Sequence, residues 1–113
     1  MTKDFDALKN IHKIHMIGIG GVSMSGIALI LKKDGFEVTG SDKNYGDMID
    51  ILENNGIPVF IGSNADLVKD ADVVVYTSAI NQHDPEFVRA KSLGIPTYER
   101  AKFLGLLLTS YKM

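Results

Sequence analysis

The sequence has no cysteine at any of its 113 positions. That excludes a disulfide framework, a thiolate metal site and a thiol nucleophile, and it fits a reducing compartment. It has no basic excess either: 12 Lys and Arg stand against 14 Asp and Glu, for a formal net charge of -2. Nothing is therefore available to meet the phosphates of a duplex, and no nucleic-acid partner is expected. The apolar runs are too short to span a bilayer, and the first residues lack the apolar core of a secretion signal. A cytoplasmic location without a membrane partner follows as the expectation. His12, His15 and His83 show no metal-ligand spacing with any carboxylate, so no metal is expected. Ser-His-Asp ordering, paired carboxylates and a G-x-x-x-x-G-K-[ST] loop are all missing. No catalytic residue is expected, and such a site would bind and not react.

What is present is ordinary for a globular chain: 45% hydrophobic and 23% charged residues. A chain of this length forms one small domain that buries about two-thirds of its unfolded surface. The organising stretch is Ile14 to Gly26, Ile-His-Met-Ile-Gly-Ile-Gly-Gly-Val-Ser-Met-Ser-Gly. A short apolar run leads into glycines 18, 20 and 21, and Met24, Ile27, Ala28 and Leu31 then recur at helical spacing. Strand, glycine turn and helix make the first half of a phosphate-binding βαβ unit. The free amides of the helix's first turn, at the positive end of its dipole, favour an anion. The third glycine of a full G-x-G-x-x-G falls at Ser23, so a turn that merely packs helix on strand remains open.

Residues 1–12, polar with scattered Phe5, Leu8 and Ile11, suggest a short leading helix. Three later segments repeat one pattern, in which a helix end passes through a single glycine into a strand: Gly35, Gly56 and Gly94. Val73 to Tyr76 is β-branched and unbroken, and should lie inside the sheet. Asp84-Pro85-Glu86 opens a helix, with Asp at the N-cap and Pro in the first turn. Five strands are predicted, near residues 14–19, 36–40, 57–61, 72–77 and 95–98. Right-handed crossovers favour a doubly wound parallel α/β sheet of order 3-2-1-4-5, with helices on both faces. Strands one and four are then neighbours, and the loops Gly20 to Ser25 and Thr77 to Asn81 meet at the switch.

Ser41 and Asp42 end strand two, where dinucleotide folds place an acid on a ribose diol; a turn capping the next helix explains them as well. Ser78, with the backbone at Ala79 and Ile80, offers donors to a phosphate oxygen or is simply solvated. Gly62-Ser63-Asn64 closes strand three and either lines a base pocket or leads into a capped helix. Arg100, after strand five, suits a diphosphate as a bidentate donor, or lies on the surface. His15 falls inside strand one as a packed histidine, and His83 near the crevice mouth.

The glycine stretch with Met24-Ser25-Gly26, then Gly40-Ser41-Asp42, Ile61-Gly62, Tyr76-Thr77-Ser78-Ala79-Ile80, Asp84-Pro85-Glu86 and Glu99-Arg100-Ala101, resembles the N-terminal domain of Mur ligases. The resemblance runs from about Lys13 to Leu108, with the motifs in family order. It implies a Rossmann-like module that holds the UDP part of UDP-N-acetylmuramate. Gly20, Gly21, Val22, Ser23 and Met24 would cradle the diphosphate. Ser41 and Asp42 would lie near the uridine, and Ser78, Ala79 and Ile80 with Arg100 around the sugar phosphates. Ser23 stands where family members often carry glycine, and Ser63 where many carry histidine. The resemblance also implies a central domain that binds ATP with Mg and a C-terminal domain, both absent from these residues. The full enzyme would join L-alanine to the muramyl carboxylate in peptidoglycan synthesis, and the fragment alone is expected to be inactive. The Gly-Ile-Gly-Gly wording favours the alanine-adding activity over recycling of muramyl tripeptide. A free-standing NAD-binding module shares the glycine turn and Asp42, and an interaction module with an empty crevice is the remaining alternative.

Overall fold

The computed structural model describes residues 11–110. The expected leading helix falls largely on residues 1–10, outside the described residues. Five parallel strands form one sheet in the order β3-β2-β1-β4-β5: β1 Lys13–Ile17, β2 Glu37–Asp42, β3 Val59–Ile61, β4 Val73–Tyr76 and β5 Thr97–Glu99. The helices are α1 Val22–Lys33, α2 Asp47–Asn54, α3 Pro85–Ser92 and α4 Arg100–Ser110, with a 3-10 turn at Ala65–Val68. The predicted strand order is the observed one. Ile14 faces Val38 on one side and Val73 on the other, so β1 is central and β4 is interior.

Two apolar cores lie on the two faces. On one, α1, α2 and α4 bring Met24, Leu31, Leu52 and Phe103 against Ile14, Met16, Val38, Val73 and Val75. On the other, the 3-10 turn and α3 bring Val68 and Ala90 against Ile17 and Val74. Both faces of β1 and β4 are covered, which is why their sequences run apolar without alternation.

The glycine-punctuated helix ends share one hydrogen-bond pattern. Phe36 N donates to Leu31 O, Ile57 N to Leu52 O and Ile95 N to Ala90 O, while the glycine before each donates three residues back. These are Schellman caps, and each glycine takes the left-handed conformation they require: φ 98° at Gly35, 83° at Gly56 and 74° at Gly94. The caps also shift the strand starts from their predicted places. An amide spent on the helix cannot join the sheet, and Pro58 and Pro96, next in line, have none to give. Strands β2, β3 and β5 therefore start one or two residues later than expected, at Glu37, Val59 and Thr97.

Strand β1 ends early, at Ile17. The amides of Gly18 and Ile19 both donate to the carbonyl of Ser41, at 2.8 and 3.0 Å, and so turn the chain across the end of β2. Ile19 folds down onto Gly40, where an added Cβ would lie 2.5 Å from Ile19 Cδ1 and 2.7 Å from its Cβ. The glycine loop can sit this low only because residue 40 has no side chain.

Candidate functional site

The loops after β1, β2, β3 and β4 gather at the carboxyl end of the sheet. They enclose two adjoining hollows. One, of about 200 Å³, lies between the ends of β2, β3 and β4, against Asp42, Lys43, Gly62, Ser63 and Ile80. The other, of about 460 Å³, lies over the glycine loop, against Gly20, Gly21, Tyr45 and Met48. Gly18, Asp42, Asn44 and Thr77 border both, which makes one continuous crevice at the switch between β1 and β4.

Helix α1 begins at this crevice with Gly21 as N-cap, in extended conformation at φ -66° and ψ 154°. No side chain caps it, and its first turn carries no acid. The contrast with its neighbours is informative. Asp84 caps α3 by accepting from the Glu86 and Phe87 amides, and Asn64 caps the 3-10 turn through Asp66 N. Helix α2, after Gly46, also lacks a side-chain cap, but Asp47 and Asp50 stand in its first turn; α1 has neither cap nor acid, and its mouth is open: a Cβ at Gly21 would find its nearest atom 3.8 Å away.

Asp42 is tied to the glycine loop. Its Oδ2 accepts from Gly20 N at 2.8 Å and its Oδ1 from Asn44 N at 3.1 Å. A Cβ at Gly20 would lie 2.8 Å from that Oδ2, so this glycine is needed for the bond itself. Arg100, at the start of α4, sends Nη1 to Ser23 Oγ at 3.0 Å. Two residues 77 positions apart thereby meet at the first turn of α1, with a guanidinium beside the uncapped amides.

The remaining candidates divide. Gly62, Ala79 and Ile80 line the smaller hollow. Ser78 is exposed on the same turn as Ala79 but lines neither hollow. Val22, 86% exposed, lines neither hollow, and the Met24 side chain is in the core, with only its backbone in the first turn. Ser41 is buried and its hydroxyl is turned to Glu86. His83 is exposed and lines neither hollow.

Glu86 is the residue that sequence reasoning missed. It is fully buried, and three donors converge on its carboxylate. His15 Nε2 lies 2.7 Å and Ser41 Oγ 2.6 Å from Oε1, and Asn64 N lies 2.9 Å from Oε2. His15, equally buried, places Nδ1 2.8 Å from Thr39 Oγ1. Desolvation by itself would raise the Glu86 pKa, but the bonds from His15, Ser41 and the Asn64 amide outweigh it and hold the carboxyl below its ordinary value. An ionised carboxylate only accepts, so His15 donates from Nε2 and its Nδ1 is free to accept from Thr39. The pattern Asp-Pro-Glu signals a helix start, and an acid in a first turn is ordinarily solvated. Only the sheet order places this one beneath Ser41.

A pH dependence follows. A folded pKa below the unfolded one contributes stability that is complete above the unfolded value, near 4.5, and is lost as pH falls through the lowered folded value. Denaturation midpoints measured from pH 7 to pH 3 should fall more steeply in the wild type than in Glu86→Gln. Parallel profiles would refute this.

Among the described residues no group of three or more His, Cys, Asp or Glu is placed to hold a metal ion. No helix among them is long and apolar enough to cross a membrane.

A doubly wound parallel sheet with an uncapped glycine-led helix at its switch crevice defines a Rossmann-like α/β domain. Residues 13–112 match the model of the Mur ligase family, catalytic domain. The chain belongs to the Mur ligase family. It is 46% identical over 108 residues to the UDP-N-acetylmuramate–L-alanine ligase of Clostridium tetani, covering 96% of this chain and 24% of that protein. Among solved structures, UDP-N-acetylmuramate-alanine ligase MurC from Thermotoga maritima superposes with a TM-score of 0.83 at 36% identity, covering 86% of this chain and 23% of that one. The UDP-N-acetylmuramate:L-alanyl-gamma-D-glutamyl-meso-diaminopimelate ligase from Neisseria meningitides superposes at 0.74 with 37% identity, covering 83% and 30%. The chain thus spans about a quarter of the length of the curated relatives it matches.

Proposed function

We propose that this chain holds the UDP moiety of UDP-N-acetylmuramate, as the N-terminal domain of a cytoplasmic UDP-N-acetylmuramate–L-alanine ligase of peptidoglycan synthesis. The observation that carries the reading is the uncapped start of α1, opening with Gly21 onto the switch crevice beside Arg100. Family membership and the names of the most similar relatives support it.

In this reading the amides of Val22, Ser23 and Met24 receive the diphosphate, with Gly20 and Gly21 turning the chain beneath it and Arg100 adding positive charge from the side. Asp42 holds Gly20 in place and turns its remaining acceptor capacity to the ribose. Gly62, Ala79 and Ile80 bound the nucleoside, and Ser78 stays at the rim. Ser41 acts from below, through its carbonyl and its bond to Glu86. ATP and Mg, in the full-length enzyme, would supply activation of the muramyl carboxylate. No group of three or more His, Cys, Asp or Glu among the described residues is placed to hold the metal, and in this reading the chain's own part is binding and orientation. The likeness to the Neisseria ligase keeps the tripeptide-adding activity as a second reading of the same crevice.

Gly21→Ser tests it with opposite signs. Serine is a good N-cap and there is room for it, so stability should hold or rise by a few tenths of a kcal/mol. Its hydroxyl would occupy the amides a diphosphate needs, so UDP affinity by titration calorimetry should fall at least about tenfold. No heat with millimolar UDP alongside clear heat with NAD would overturn the proposal in favour of a dinucleotide module.

A further inference from the structure

Glu86 lines neither hollow, yet two of the three groups it holds stand at or next to a wall of the crevice. Ser41 borders the smaller hollow directly, and Asn64 follows Ser63, which borders it. Asp84, two residues before Glu86, borders it as well while capping α3. The carboxylate therefore joins four elements: α3, on which it stands, β1 through His15, β2 through Ser41, and the loop after β3 through Asn64. Its three partners lie 71, 45 and 22 residues away in sequence.

An apolar side chain of similar volume would fill this space at no loss of stability in many folds. It would not fix distances. Hydrogen bonds to a carboxylate are short and directional, so three of them from three elements set the spacing of those elements within narrow limits.

We propose that Glu86 is a positioning residue for ligand: its buried carboxylate sets the gap between the end of β2 and the loop after β3, and so holds Asp42 and Ser63 at the separation a bound nucleoside requires. The proposal rests on the nucleotide-binding reading above. His15 is the fixed post of the arrangement. It is buried on the central strand and braced by Thr39 on β2, so the carboxylate is aligned from beneath while Ser41 and Asn64 hang from it above.

Glu86→Gln keeps the volume but can be satisfied in one way only. Its carbonyl must accept from Asn64 N while its amide donates to Ser41 Oγ and His15 Nε2. That moves the imidazole proton to Nδ1 and makes the Thr39 hydroxyl an acceptor. The variant is expected to fold, with its bonds to His15, Ser41 and Asn64 neutral and longer.

The experiment uses the 113-residue chain with UDP as probe. Glu86→Gln should retain a dispersed amide spectrum, show the His15 proton on Nδ1 by long-range proton–nitrogen correlation, and bind UDP about tenfold more weakly. Ser41→Ala cuts a single link and should weaken UDP about threefold. Val73→Ala, at the end of β4 away from the crevice, should lower the melting temperature with UDP affinity within about twofold of wild type. UDP affinities within about twofold of wild type for both Glu86→Gln and Ser41→Ala would overturn the proposal. Should Glu86→Gln not fold, Ser41→Ala decides alone. No heat from wild type with UDP would remove the nucleotide reading instead. Positioning is then judged by amide shifts: changes reaching Asp42, Asn44 and Ser63 uphold it, and changes confined to His15, Thr39 and Glu86 overturn it.

Discussion

Glu86→Ala should cost the fold about 3–5 kcal/mol at neutral pH, a large share of what a domain of this size has. The side chain is fully buried, as is His15, so no solvent stands ready to replace it. Removing the carboxylate takes the acceptor from three donors at once: His15 Nε2 and the Ser41 hydroxyl, both buried, and the amide of Asn64 in an exposed loop. Each buried donor left without a partner costs on the order of 1–3 kcal/mol, and partial collapse of the site recovers some of that. Glu86→Gln should lose less, because its amide can be paired throughout once the imidazole proton moves. Urea denaturation with an unchanged slope would read the loss as a shift in midpoint. A loss for Glu86→Ala below about 1 kcal/mol would mean that water enters and satisfies the donors, and the carboxylate would not be the tie that its geometry suggests.

Gly40→Ala should be the most damaging single methyl in the sheet, at about 3 kcal/mol. The new Cβ would lie 2.5 Å from Ile19 Cδ1 and 2.7 Å from both Ile19 Cβ and Cγ2. Rotating Ile19 moves its outer atoms, but its Cβ is fixed to the backbone, so truncating Ile19 to alanine leaves the clash in place. Relief requires the loop from Gly18 to Gly20 to lift, and that loop is pinned by the two amide bonds to Ser41 O and by Asp42. The damage should therefore appear twice: as a lower melting temperature, and as shifted amide resonances at Gly18 to Gly21, next to the amides proposed to receive a diphosphate. Gly26 offers the control, since an added Cβ there meets nothing within 4 Å. An unchanged melting temperature for Gly40→Ala would show that the loop yields freely.

Both expectations depend on contacts between segments far apart in the chain, and they mark where the sequence stops being readable. Much of the architecture is written locally. The apolar runs of β1 and β4, the helical spacing of Met24, Ile27, Ala28 and Leu31, and the Asp84-Pro85 helix start each follow from a few adjacent residues. The three helix-ending glycines are legible for the same reason, because a left-handed φ is a property of one residue. The strand starts were less so. Whether the amides of Phe36, Ile57 and Ile95 close a helix or open a strand depends on which acceptor is nearer, and in each case the helix wins.

The crevice divides along the same line. Its glycine loop and Asp42 could be placed from spacing alone, while the pairing of Arg100 with Ser23 across 77 residues could not. Ser41 shows the limit most plainly. A serine at a strand's end reads as a polar turn or a ligand contact, but its hydroxyl goes to an acid from another element.

By itself, then, the amino-acid order determined which segments would be strands and helices, the parallel winding that their alternation permits, and the end of the sheet where an anion would find free amides. Only the tertiary structure decided which side chains face that crevice and which serve beneath it. Periodicity and stereochemistry act over one or two turns of chain, whereas a carboxylate chooses its donors by distance in space, and no spacing along the sequence encodes that choice.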